Sequence, residues 1–140
     1  MLIMTSARYT IMKISKAMVL VSSLFLCMLV FASEVSDLMI EEFQAEAERP
    51  FSEQAGMETW YASQPDGRSC TSCHGESLLV RGSHQRTGKI IEPMAPSINP
   101  ERLTERRHIN KWFLRNCKWT YGRECTVQEK GDILLWLSQQ

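Results

Sequence analysis

Beyond residue 33 the chain has no apolar run approaching the roughly 20 residues that cross a bilayer, so nothing there reads as a membrane span. Excess positive charge is missing too. All sixteen Asp and Glu lie after residue 33, with thirteen of the sixteen Lys and Arg, which leaves that part at −3. This balance excludes nucleic acid as an expected partner. Histidines number three and cysteines five, and no second close Cys or His pair accompanies Cys70 and Cys73, as a zinc site would require. Strand-like alternation is also absent. The βαβ surroundings of a thioredoxin-like C-x-x-C are therefore missing.

What is present is Cys70-Thr71-Ser72-Cys73-His74, which reads as the C-x-x-C-H attachment site of a c-type haem. On a helical turn, residues at i, i+3 and i+4 share a face. Cys70 and Cys73 can each bond a haem vinyl group while His74 coordinates the iron. The expected cofactor is one covalent haem c.

The N-terminus sets the expected compartment. Lys13 and Lys16 precede an apolar run over residues 17 to 31, and Val30-Phe31-Ala32 forms a cleavage site. Residues 1–32 thus read as a secretory signal peptide, with export to the periplasm and a mature start at Ser33. The run is about 15 residues, short for an anchor. Met12 makes a more typical start than the residues before it. Leu24-Phe25-Leu26 lacks the small residue that lipid attachment at Cys27 would need, so Cys27 leaves with the signal. Of the remaining four cysteines, two serve haem, and Cys117 and Cys125 are left for a disulfide in an oxidising compartment. In the chain-entropy model so short a loop contributes about 2–3 kcal/mol. Residues 33–140 form one expected domain, with a modest core to which a buried porphyrin would add apolar surface.

Val35, Leu38, Met39, Phe43 and Ala47 predict a helix over residues 34–48 that ends before Arg49-Pro50. Ser52 offers an N-cap for a second helix carrying Ala55, Gly56, Trp60 and Tyr61. Gly56 costs that helix about 1 kcal/mol against alanine, which fits a close crossing helix with Gly131 as its mark. Gln64-Pro65-Asp66-Gly67 is turn chemistry. Residues 75–100 predict loop without strand, in which the Pro93 or Pro96 carbonyl is a candidate acceptor for the second ring nitrogen of His74. A third helix is expected over 100–116, capped by Asn99 with Pro100 at its first position. Its face runs Ile109, Trp112, Phe113, Asn116. That carboxamide reads either as a helix C-cap or as an iron ligand. Thr126 and Glu129 form a capping box for a last helix with Val127, Ile133, Leu134, Trp136 and Leu137 inward. The expected fold is all-α, a small class I-like cytochrome c fold with an extra N-terminal helix.

The sixth iron position separates an electron carrier from a ligand binder. Met94 is the usual type of answer, twenty residues after His74. Met39 and Met57 read as core, and His84 and His108 as exposed.

The run Glu92-Pro93-Met94-Ala95-Pro96-Ser97-Ile98-Asn99-Pro100-Glu101-Arg102, then Trp112-Phe113-Leu114-Arg115-Asn116-Cys117, Gly122-Arg123-Glu124-Cys125-Thr126 and Glu129-Lys130-Gly131-Asp132, resembles the SHP-type monohaem cytochromes c. Together with the C-x-x-C-H motif it covers nearly all of the chain after residue 50. The resemblance implies a distal asparagine just before the first cysteine of a disulfide, which maps onto Asn116 and the Cys117–Cys125 pair. It also implies O2 or NO binding at reduced iron, and electron delivery from a dihaem cytochrome c near a membrane b-type cytochrome. Two other functions stay open: a redox enzyme acting on O2, NO or peroxide, for which His84, His108 and Arg115 are weak acid candidates, and a plain Met94-ligated carrier. Lys111, Arg115 and Lys118 read as propionate anchors, as guides for an acidic partner, or simply as a solvated face.

Overall fold

Ser52 and Thr126 open the two helices whose crossing holds the fold. In the computed structural model, which describes residues 34–140, the helices are α1 (Glu34–Gln44), α2 (Glu53–Tyr61), α3 (Thr71–His74), α4 (Arg106–Tyr121) and α5 (Val127–Ser138). The signal peptide expected over residues 1–32, Cys27 within it and the alternative start at Met12 lie outside the described residues. Among the described residues no helix is long and apolar enough to cross a membrane.

The Ser52 side chain accepts from Ala55 N, and Thr126 and Glu129 make the reciprocal capping box. Each such cap contributes about 1 kcal/mol by satisfying amides the helix leaves open. Helix α2 then crosses α5 at Gly56. A Cβ there would overlap the carbonyl of Asp132 and come within 2.9 Å of Trp136 Cβ, so two backbones meet where only hydrogen fits. The expected mark of that crossing, Gly131, instead makes room for the ring of Phe51. Asp132 secures the crossing from inside. Its carboxylate, 2% exposed, accepts from Ser52 N at 2.7 Å, Arg49 Nη2 at 2.8 Å and Gln128 Nε2 at 3.1 Å. A buried carboxylate is tolerable only when its oxygens are filled in this way.

Helix α1 ends at Gln44, earlier than the expected 48, where the Gln44 side chain bonds Arg49 O and Phe51 N and turns the chain. It presents Met39 to Ile109 of α4 and Leu134 of α5. A second cluster gathers Trp60, Leu78, Ala95, Ile133, Trp136 and Leu137. Leu103 and Phe113 touch both clusters.

Two expectations are corrected. Helix α4 begins at Arg106 rather than at Pro100, because Leu103 takes a left-handed φ of 63°, which no helix can propagate through. The helix then runs past Asn116 and Cys117 to Tyr121, where Gly122 supplies the left-handed cap at φ 69°. The loop expected between the cysteines is thus mostly helical. Nor is the segment after His74 free of strand: Gly82–Ser83 (β1) pairs antiparallel with Ile90–Ile91 (β2) in a small hairpin. Strands of two residues leave no alternation to read.

Alanine at Gly56 gains about 1 kcal/mol of helix propensity but overpacks a backbone contact, which costs about 1–3 kcal/mol and more where nothing flexible can yield. Gly56→Ala is expected to lower the denaturant midpoint of the haem-loaded protein. An unchanged or raised midpoint would contradict the tight crossing.

Candidate functional site: a cavity around the C-x-x-C-H turn

The turn is short and therefore held by its surroundings. Upstream, Gln64 N bonds Arg68 O and Gly67 N bonds Gln64 O, closing the expected turn. Arg68 pairs with Asp66 at 2.5 Å, donates to the carbonyl of Trp119 in α4, and stacks over that indole at 5.5 Å. Ser69 N donates to Ser72 Oγ, and Ser72 N returns the bond to Ser69 Oγ. His74 N reaches Cys70 O at 3.1 Å, which completes one helical turn. Gly75 then leaves it at φ 75°.

The hairpin closes over this turn. A Cβ on Gly82 would overlap Cys73 O and lie 2.8 Å from His74 Cα, and Gln85 N donates to Cys73 Sγ at 3.4 Å. Cys70 is held from the other side by Tyr121, whose hydroxyl lies 4.0 Å from its sulfur and donates to Thr59 O. Burial pushes the Cys70 thiol up to about 11 and raises the Tyr121 phenol as well.

Cys70, Cys73, His74, Met94 and Asn116 all line one cavity of about 1080 Å³. That is at the upper end of what small-molecule sites enclose, commonly 300–1,000 Å³. Its walls include the apolar Leu103, Ile109, Phe113, Leu134 and Leu137. Burial first, and then the charge of Arg102, depress the His74 pKa to about 4. The imidazole is neutral at pH 7 and has a lone pair for a metal.

The His74 surroundings overturn one expectation. Its Nδ1 is buried and bonds neither proline carbonyl. Pro93 O is already taken by Asn99 Nδ2 at 3.3 Å and Arg102 Nε at 2.8 Å. The Trp60 ring instead lies against the imidazole, with centroids 5.1 Å apart.

The two candidates for the sixth position sit differently. Met94 packs against the cluster of Trp60, Leu78 and Ala95, with its backbone N bonded to Leu78 O. Asn116 lies half-buried on α4, and its carboxamide makes no hydrogen bond among the described residues. A disulfide joins the next residue, Cys117, to Cys125, with Cα atoms 5.5 Å apart. His84, His108 and Arg115 also line the cavity. Sequence reading missed the roles of Trp60 and Tyr121 around the turn and of Arg102 in the wall. Nothing local marks them, because each is placed by a contact across the fold.

These residues fit a c-type haem: two thiols and a neutral imidazole on one turn, opening onto a cavity with apolar walls. Comparison with known proteins agrees. Residues 46–137 match the family described as a domain of unknown function, DUF1924. Cytochrome c-type protein SHP of Cereibacter sphaeroides is 41% identical over 106 residues, which span 73% of this chain and 81% of that protein. The structure of oxidised SHP, described as an oxygen-binding cytochrome c, superposes with a TM-score of 0.69 at 38% identity, covering 75% of this chain and 96% of that one. Cytochrome c'' of Methylophilus methylotrophus is 32% identical over 75 residues, about half of each chain, and its oxidised crystal structure shares the fold at a TM-score of 0.65. With a C-x-x-C-H turn facing a haem-sized cavity and a relative this similar along most of its length, the chain belongs to the SHP family of c-type cytochromes, and its cofactor is haem c.

Proposed function

We propose that this chain is an exported electron-transfer cytochrome whose distal ligand is Asn116 and whose reduced form binds a diatomic such as O2 or NO. The observation that carries this reading is the Asn116 carboxamide, which lines the cavity without a hydrogen-bond partner among the described residues, beside the Cys117–Cys125 disulfide. Cys70 and Cys73 are the thioether attachment points and His74 the proximal ligand. Haem iron supplies a one-electron couple and, when a position is free, a site for a diatomic.

A carboxamide oxygen is a hard, weak donor that suits ferric iron better than ferrous. Asn116 would therefore be a better donor to oxidised than to reduced iron, so that reduction would favour entry of a diatomic. The disulfide tethers the adjacent backbone, so the side chain moves while its helix stays in place. Oxygen binding by the similar SHP supports the ligand class. Export to the periplasm is supported by the N-terminal lysines and apolar run and by a disulfide, which persists in oxidising compartments. A dihaem cytochrome c or a membrane b-type cytochrome is the proposed electron donor, on the strength of the family resemblance.

Because Met94 lines the same cavity, a plain Met94-ligated carrier is the competing reading. Asn116→Ala is expected to convert the ferric optical spectrum to that of an open or water-ligated iron, whereas Met94→Leu leaves it unchanged. The reverse pattern would make Met94 the ligand. Mass spectrometry of protein expressed with its leader is expected to show a chain starting at Ser33 with one haem attached. Cys70→Ser should retain haem through one thioether only, moving the pyridine haemochrome band toward that of a haem with one free vinyl group. An unmoved band would remove Cys70 from the attachment.

A further inference from the structure

Haem carries two carboxylates, and burying one without a partner is costly. Several cations border the cavity, and most are committed elsewhere or exposed. Arg115 lies over the exposed Trp112 ring at 5.8 Å, and Lys111, 5.3 Å from the same ring, does not line the cavity. Lys118 pairs with Glu124 at 3.1 Å. Arg102 differs from these. It is half-buried in the cavity wall and forms no ion pair with a carboxylate among the described residues. The Glu92 carboxylate, whose charge it feels, is paired with Arg81 at 3.0 Å.

Its guanidinium is already oriented. Nε donates to Pro93 O at 2.8 Å and Nη2 to Glu92 O at 2.5 Å. Two carbonyls thus fix the plane of the fork, and Nη1 makes no hydrogen bond among the described residues. A planar donor held on one side and open on the other suits bidentate or side-on pairing with a carboxylate.

We propose that Arg102 is a propionate anchor: it binds one haem carboxylate through Nη1 while its other nitrogens tie that carboxylate to the 92–93 backbone. The residue is then part of the cofactor site rather than a brace for the loop alone. A fixed cation near the iron stabilises the reduced, less positive state, and Arg102 accordingly raises the midpoint potential.

The test uses haem-loaded protein and two readouts, the propionate bending bands in resonance Raman spectra and the midpoint potential by redox titration. Arg102→Leu is expected to shift a propionate band and to lower the potential. Arg102→Lys restores most of the potential by restoring the charge. Arg107→Gln, which removes an exposed cation that does not line the cavity, should move neither. If the leucine variant does not fold, Arg102→Gln makes the same decision, because it keeps the size and removes the charge. A native propionate band in the neutral variant would overturn the proposal, and so would an equal shift in Arg107→Gln. Absence of covalent haem from the unmutated chain is a separate failure, that of the cofactor assignment, and the pyridine haemochrome assay reads it first.

Discussion

The structure depends on one constraint: a flat apolar cofactor must be gripped by a single helical turn and enclosed by two half-cores. Residues Cys70 to His74 supply the grip, but four residues of helix cannot hold themselves in water. They are pinned by Arg68 reaching the Trp119 carbonyl, by the serine pair at positions 69 and 72, and by the hairpin seated on Gly82. The two apolar clusters, one centred on Leu134 and Met39 and the other on Trp60 and Trp136, meet through Leu103 and Phe113 at the cavity. Packing and cofactor binding are therefore one problem in this fold. The crossing of α2 and α5 at Gly56 and Asp132 is its rigid end.

The two sides of the cavity differ in chemistry. On the His74 side the imidazole is enclosed, neutral and packed by Trp60, an arrangement suited to a permanent bond. The wall formed by α4 carries Asn116, the proposed distal donor, on a helix whose C-terminal turns are tethered by the Cys117–Cys125 disulfide. Arg102, also in the cavity wall, bonds the 92–93 backbone.

What could be read from the sequence was whatever is local. The C-x-x-C-H motif carries its chemistry within five residues, and Ser52, Thr126 and Glu129 sit at helix starts where capping rules apply. Gly56 announced a close crossing for the same reason. The start of α4 was misplaced because the left-handed backbone at Leu103 is imposed by the loop around it, and leucine gives no hint of that. The hairpin left no pattern, being two residues per strand. The acceptor expected for His74 was lost to Arg102, a competitor nine residues past Pro93. Cys70, Cys73, His74 and Asn116 could each be named from sequence, and the structure sets all four on one cavity. The supporting Trp60, Tyr121 and Arg102 act across the fold and have no sequence signal of their own.

The proposed control of the sixth position by oxidation state is read by mixing the unmutated protein, first oxidised and then reduced, with carbon monoxide or nitric oxide and recording the optical spectrum. Rapid and complete binding is expected in the reduced protein, with the oxidised protein remaining six-coordinate through an oxygen or nitrogen donor. Failure of the reduced protein to bind, together with the near-infrared ferric band of a sulfur ligand, would contradict it and leave a carrier that only passes electrons.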